Sequence, residues 1–173
     1  HLGMEHYGGN MKEYFAGLTN DGAKYGATNT NEEQEYNRWF KDNTLGHVVV
    51  MGSTTWNDPH MPRPLPKRTN ALVTTREVDY PGACHYINGD LPTQLKELEA
   101  TLPGVIIWVI GGPNIIEQSL GVIDEFFLSR IPGAYACDTF LPLKKIESLF
   151  EKTWLEKHDL VEFQIWKKRK VND

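Results

Sequence analysis

The sequence predicts an α/β fold with a mostly parallel central sheet. Short apolar runs alternate along the chain with segments whose apolar residues recur at helical spacing, as expected of strands linked by helices. The central runs are unbroken apolar stretches, which is typical of strands covered on both faces. A length of 173 residues suits one domain with one core. We therefore predict a single domain with helices on both faces of the sheet.

The elements follow from these runs in chain order. The predicted strands are residues 13–18, 47–51, 71–74, 83–87, 105–110, 125–131, 153–157 and 161–167. The predicted helices are residues 31–42, 92–101, 113–120 and 143–150. Residues 1–10 show no periodicity and precede Met11. We interpret them as an expression scar or a loose extension, so that the domain spans residues 11–173.

The first predicted helix has a well-marked start. Thr30 is followed three residues later by Glu33, the pattern of a capping box in which each side chain bonds the other residue's backbone amide. Tyr36 and Phe40 are four residues apart and therefore share one face of this helix. From spacing alone, that face is most simply an aromatic surface that packs on the sheet.

Charge and cysteine content narrow the functional classes. A net charge of -5 and a pI near 5.7 argue against a broad nucleic-acid-binding face, and we assign no function to the basic run at residues 167–170. Cys84 and Cys137 are too few for a disulfide framework and lack metal-ligand spacing. No apolar stretch approaches the ~20 residues that span a bilayer. We expect a soluble cytoplasmic monomer with no metal and no membrane or nucleic-acid partner.

Three predicted strands end in residues suited to contact phosphate. Gly111 and Gly112 follow one strand and precede Pro113, where bare backbone and the unpaired amides of a helix start attract anions. A glycine with three hydroxyls follows another strand, and two hydroxyls with an arginine suited to a ribose 2'-phosphate follow a third. The candidate cofactor-binding residues are Gly52, Ser53, Thr54, Thr55, Thr74, Thr75, Arg76, Gly111, Gly112, Pro113 and Asn114.

Several segments, taken in order, resemble motifs of the dihydrofolate reductase family. They are residues 39–45, 47–56, 63–68, 109–113, 124–131 and 138–142. The resemblance implies a three-layer fold whose C-terminal region adds an antiparallel strand to the parallel sheet. It also implies an enzyme that transfers a hydride from NADPH to the pterin ring of dihydrofolate.

The resemblance further implies roles for individual residues. NADPH would lie across the three glycine and hydroxyl turns. Arg68 matches the arginine that pairs with the glutamate carboxylate of folate, a task suited to a bidentate guanidinium. Phe40 matches the aromatic residue that packs on the pterin or benzoyl ring, and Ser129 matches a hydroxyl behind the pterin. Ala16 completes the substrate-binding residues that the resemblance implies.

One catalytic position departs from the family pattern. The family carries a carboxylate four residues before the phenylalanine, where this chain has Tyr36, a phenol with an ordinary pKa near ~10 that cannot supply a fixed anion. Glu32 and Glu35 are candidate substitutes, although helix geometry places neither well. Residues 26–30 also lack the Pro-Trp pair of the family's active-site lid.

Two other functions stay open. Residues 18–22 resemble the turn after the first strand in riboflavin-pathway pyrimidine reductases, which predicts reduction of another pterin or a pyrimidine-type heterocycle by NADPH. Loss of the carboxylate also fits a non-catalytic nucleotide-binding or structural module. Consumption of NADPH with dihydrofolate would separate these hypotheses.

Overall fold

The computed structural model describes residues 2–7, 31–57, 62–75, 80–130, 142–158 and 162–170, with the backbone alone for residues 2–7, 31–37 and 130. The strands of this part of the chain are β1 Leu2–Tyr7, β2 Val48–Gly52, β3 Thr69–Val73, β4 His85–Ile87, β5 Ile107–Gly111, β6 Glu125–Arg130, β7 Phe150–Lys157 and β8 Glu162–Lys168. The helices are α1 Asn31–Thr44, α2 Ser53–Trp56, α3 Leu91–Thr101, α4 Pro113–Ser119 and α5 Leu143–Leu149.

The eight strands form one sheet in the order β4-β3-β2-β5-β1-β6-β8-β7. Every pair from β4 to β6 is parallel. The strand β8 is antiparallel to both of its neighbours, β6 and β7. The predicted fold class, a mostly parallel sheet with an antiparallel C-terminal strand, is therefore confirmed.

Helices cover both faces of the sheet, and β2 contributes side chains to the core on each face. Val48 and Val50 pack in one core with buried residues of α3, α4 and α5. Val49 and Met51 point the other way and pack in a second core, which includes Trp56 of α2 and is bordered by aromatic residues of α1. All four β2 valine and methionine side chains are at most 2% exposed. This arrangement explains the unbroken apolar run in the sequence.

The first strand differs from the prediction. The structure places Leu2–Tyr7 between β5 and β6, with parallel pairing on both sides, so these residues belong to the sheet and not to an extension before Met11. This segment has no β-branched residue and only one aromatic residue, Tyr7, so strand propensity gave a weak signal for it. The predicted strand at residues 13–18 lies outside the described residues.

Most other elements agree with the prediction to within a few residues at their ends. The first helix starts at Asn31 as predicted and continues to Thr44. The helix predicted to reach residue 150 stops at Leu149, because Phe150 is extended and begins β7. The four-residue helix α2 was not predicted. Among the described residues, no helix has the length and apolar character needed to cross a membrane.

Candidate active site

Three of the predicted phosphate-contacting turns are neighbours at one edge of the sheet. The strands β3, β2 and β5 are adjacent and parallel, so their carboxyl ends lie together. Gly52 at the end of β2 is level with Val73 on one side, and Met51 is level with Gly111 on the other. The structure thus brings the glycine turns of β2 and β5 side by side, with Thr74 and Thr75 directly after β3.

The turn after β5 leaves open space beside its backbone. Gly111 has a φ of 139°, which favours glycine, and its peptide bond to Gly112 is cis. Gly112 is the N-cap of α4 and offers no side chain to cap the helix. A Cβ atom built on Gly112 would meet no atom within 4 Å. A ligand could therefore approach this part of the main chain closely.

Position 52 requires a glycine for a different reason, which is the close packing of a neighbouring helix. A Cβ atom on Gly52 would lie 3.1 Å from Cγ1 of Ile115, which belongs to α4. The missing side chain therefore allows α4 to pack close to the end of β2. It does not open space for a ligand in the way that Gly112 does.

The hydroxyl groups at this edge are in unequal environments. Thr55 and Thr74 are buried at 4% and 9% exposure, and the amide of Thr74 donates to the carbonyl of Ile87 at 3.0 Å. Thr54 and Thr75 are exposed, and these are the hydroxyls most accessible to a ligand. Arg76 lies outside the described residues.

Arg68, just before β3, carries a partly buried guanidinium. Its Nε donates to the carbonyl of Pro66 at 2.9 Å, and its Nη1 donates to the hydroxyl of Thr44 at 3.1 Å. Burial lowers the pKa of Arg68 from its ordinary value. No carboxylate of the described residues forms a salt bridge with it. Two of its five N–H groups are used, so three can still donate to an anion.

The turn that carries Arg68 is held by a side chain that the sequence did not single out. Asn70 is 1% exposed, and its Oδ1 accepts from the amide of Leu65 at 3.0 Å. Its Nδ2 donates to the carbonyls of Leu65 and Arg68, both at 3.1 Å. A polar residue directly before an apolar run was the available signal, since a buried carboxamide at the start of β3 needs partners.

Phe40 joins Arg68 to α1. The guanidinium lies over the Phe40 ring, and the hydroxyl of Thr44 donates to the carbonyl of Phe40 at 2.8 Å. Phe40 borders the core on the same face of the sheet as Val49 and Met51. The structure therefore brings the two predicted substrate-binding residues Arg68 and Phe40 together.

Ser129 on β6 is fully buried, and its hydroxyl has no hydrogen-bond partner among the described residues. It follows Phe127 by two residues on the strand and so faces the α1 side of the sheet. Trp108 Nε1 is also buried without a partner, so this property alone does not mark a binding site. Ser129 differs because it lies next to the last residue of β6, at the carboxyl edge where the glycine turns also lie.

Other predicted site residues are described only in part. The backbone of Glu32, Glu35 and Tyr36 is helical within α1, with Tyr36 one turn before Phe40. Residues 45–47 join α1 to β2, so the two run antiparallel and Tyr36 lies toward the carboxyl ends of the strands. Four further predicted features lie outside the described residues: Ala16, the lid segment 26–30, the capping box that includes Thr30, and the segment 138–141.

Comparisons with known proteins show the family of this chain. The family model described as dihydrofolate reductase matches residues 33–166, which is more than half of the chain. The chain belongs to the dihydrofolate reductase family. Family membership confirms the predicted enzyme class, because dihydrofolate reductases are NADPH-dependent oxidoreductases.

Individual dihydrofolate reductases are similar to the chain at low to moderate identity. Dihydrofolate reductase type 8 of Escherichia coli is 25% identical over 139 residues, covering 78% of this chain and 80% of that protein. Dihydrofolate reductase of Mycobacterium leprae is 42% identical over 103 residues, covering 59% of this chain and 56% of that protein. The solved Enterococcus faecalis dihydrofolate reductase, complexed with NADP(H) and RAB-propyl, has a TM-score of 0.68 at 16% identity and covers 98% of this chain and 96% of that chain. That likeness supports the fold.

Proposed function

We propose that this protein reduces dihydrofolate to tetrahydrofolate with NADPH. The environment of Arg68 carries the proposal. A guanidinium that is partly buried, lies over the Phe40 ring and has no acidic partner among the described residues would be matched by an anion from outside the protein. The glutamate tail of dihydrofolate supplies a carboxylate, and its benzoyl ring supplies an apolar surface for Phe40.

The residues at the carboxyl edge fit NADPH. The open space beside Gly112 would admit the cofactor's phosphates close to the main chain, and the exposed hydroxyls of Thr54 and Thr75 could bond other polar groups of the cofactor. When bound, NADPH would supply the hydride. The match to the dihydrofolate reductase family and the NADP(H) complex of the Enterococcus faecalis enzyme support this choice of cofactor.

The chain's own contribution to the reaction is orientation. Arg68 and Phe40 would hold the tail of the substrate at the end of α1, which directs the pterin along the helix toward position 36. Ser129 lies at the carboxyl edge on the same face, so its hydroxyl would bond a polar edge of the pterin. Fixing both ends of the substrate lowers the entropy cost of aligning its ring with the cofactor.

Proton delivery would differ from that of a dihydrofolate reductase with a carboxylate in its first helix. The pterin nitrogen next to the reduced carbon must gain a proton. A neutral phenol at Tyr36 is a poor acid at neutral pH, so we infer that water supplies the proton. The hydroxyl of Tyr36 would at most orient that water, and a lower rate of turnover is expected.

Tyr36 also favours a second candidate function. A heterocycle without the pterin ring, such as a pyrimidine-type substrate, would not need the anion that holds and protonates a pterin at this position. Such a substrate, however, would leave the guanidinium of Arg68 without a carboxylate unless it carried its own acidic group. We therefore rank dihydrofolate first.

The test is a turnover assay with purified protein, NADPH and dihydrofolate, followed by the loss of reduced-cofactor absorbance. The parent protein, Tyr36→Phe and Tyr36→Asp are compared side by side. We expect turnover by the parent, little change in Tyr36→Phe and faster turnover in Tyr36→Asp, because a carboxylate would stabilise the protonated pterin. NADPH binding without turnover by the parent, with activity only in Tyr36→Asp, would rule out the proposed activity.

A further inference from the structure

We propose that Asn70 is a positioning residue, whose carboxamide directs the Arg68 guanidinium and thereby sets the affinity for the substrate's carboxylate. This inference rests on the proposed function, because it assumes that Arg68 binds that carboxylate. Asn70 does not touch the substrate in this scheme. It acts only through the turn that ends in Arg68.

The geometry of the turn carries the inference. The carboxamide of Asn70 forms three hydrogen bonds, two with the backbone of Leu65 and one with the carbonyl of Arg68. Both N–H groups of Nδ2 are therefore used. The carboxamide spans the turn from its first residue to its last, so the backbone of Leu65 and Arg68 is fixed relative to β3.

The same turn also fixes the side chain of Arg68. Its Nε donates to the carbonyl of Pro66, which lies inside the segment that Asn70 spans. If that segment shifts, the carbonyl of Pro66 moves, and the guanidinium must rotate away from Thr44 and Phe40. A bidentate contact with a carboxylate depends strongly on the direction of the guanidinium plane.

Burial and a backbone hydrogen bond also hold Asn70 itself in place. It is 1% exposed, and its own backbone carbonyl accepts from the amide of Cys84 at 2.8 Å. Leu65 is 5% exposed and packs in the core on the α1 side of the sheet. Asn70 thus anchors the turn to the core, and the turn fixes the position of the Arg68 guanidinium, which is only partly buried.

The test measures dissociation constants for dihydrofolate and for a dihydropterin that lacks the benzoylglutamate tail. The parent protein, Asn70→Ala, Arg68→Ala and the double variant are compared. We expect Asn70→Ala to weaken dihydrofolate binding by about tenfold while the tail-less ligand changes less than about twofold. In the Arg68→Ala background, Asn70→Ala should cause no further loss of affinity for dihydrofolate, because Asn70 acts only through Arg68.

Gln164→Ala is the matched control for a general loss of stability. Gln164 is a buried amide at 1% exposure on β8, and it accepts from Nε1 of Trp166 at 2.8 Å. Its loss should destabilise the fold without changing the preference for dihydrofolate over the tail-less ligand. If Asn70→Ala does not fold, Asn70→Ser replaces it, since a short neutral side chain brings no charge into the core and cannot span the turn from Leu65 to Arg68, and the same tenfold loss is expected.

The outcomes separate this inference from the proposed function. A parent protein that binds the two ligands equally would overturn the proposed function and this inference with it. A parent that prefers dihydrofolate, with the preference lost in Arg68→Ala but kept in Asn70→Ala, would overturn this inference alone. An additional loss from Asn70→Ala in the Arg68→Ala background would also contradict it.

Discussion

The guanidinium carbon of Arg68 lies 5.9 Å from the centre of the Phe40 ring. This contact joins the turn before β3 to the last turns of α1, and the hydroxyl of Thr44 bonds the same guanidinium. A cation over an aromatic face is attracted to it, and more strongly where water is partly excluded. Two elements that are separate in the sequence thus form one surface, which the proposed function assigns to the benzoylglutamate part of the substrate.

Replacing Ser129 should have opposite effects on stability and on binding. Its buried hydroxyl has no partner in the described chain, so Ser129→Ala should leave the free energy of unfolding unchanged or raise it by up to about 1 kcal/mol. The same change should weaken dihydrofolate binding, because the pterin loses a hydrogen bond. Urea unfolding and ligand titration measure the two effects.

Ser119→Ala is the control for that prediction. Ser119 is equally buried, but its hydroxyl donates to the carbonyl of Ile116 at 2.9 Å. Its loss should cost about 1 kcal/mol of stability without changing dihydrofolate binding. If Ser129→Ala destabilised the protein as much as Ser119→Ala, the hydroxyl of Ser129 would have a partner within the protein.

The two glycine turns should respond differently to alanine. Gly112→Ala should weaken NADPH binding by about tenfold, because the methyl group would occupy the open space beside the main chain. Gly52→Ala should instead destabilise the fold by about 1 kcal/mol, since its Cβ would press on Ile115. NADPH fluorescence titration and urea unfolding distinguish these effects.

Gly121→Ala is the control, because a Cβ atom at this position also meets no atom within 4 Å. It should change neither NADPH affinity nor stability. Equal NADPH affinity in Gly112→Ala and the parent would contradict the cofactor placement.

The sequence predicted most of the core elements, but not the strand β1 and not all of the boundaries. The run that became β5 was predicted to start at residue 105, but pairing begins at Ile107. The amide of Ile106 is taken by Nδ1 of His47, a residue far away in the sequence. Apolar periodicity cannot indicate such a contact, because it depends on tertiary structure.

The site was predictable to a similar extent. Glycines and hydroxyls at strand ends were visible as local patterns, and the parallel sheet brought them together. Asn70 lies only two residues from Arg68, but the sequence does not show which backbone groups its side chain bonds. The bond from Arg68 to Thr44 was not visible either, because these residues meet only after α1 and β3 have packed. The strand Leu2–Tyr7 was missed for the same reason, since its partners on both sides define it.

Acid should reduce the stability that Asp90 gives to α3. Its carboxylate caps the helix by accepting from the hydroxyl and the amide of Thr93, and the side-chain hydrogen bond is the main cause that lowers its pKa below the ordinary 3.8. Bonds to the charged form stabilise the fold above pH 3.8, and this stabilisation is lost as the pH falls through the lowered pKa.

Asp90→Asn therefore should be less stable than the parent at neutral pH, and the difference in urea midpoint should shrink in strong acid. Glu97→Gln, in the same helix, is the control for removing an exposed carboxylate. A difference between Asp90→Asn and the parent that stays constant with pH would contradict this role of the carboxylate.

The most direct test of the central claim is a comparison of KM values for dihydrofolate and for the tail-less dihydropterin in the parent, Arg68→Ala and Lys67→Gln. Lys67 is the exposed neighbouring cation and controls for a general change of charge. We predict that Arg68→Ala raises the KM for dihydrofolate by at least about tenfold, with little change for the tail-less substrate, and that Lys67→Gln resembles the parent. Equal KM values for dihydrofolate in the parent and Arg68→Ala would contradict the claim that this guanidinium binds the substrate's carboxylate.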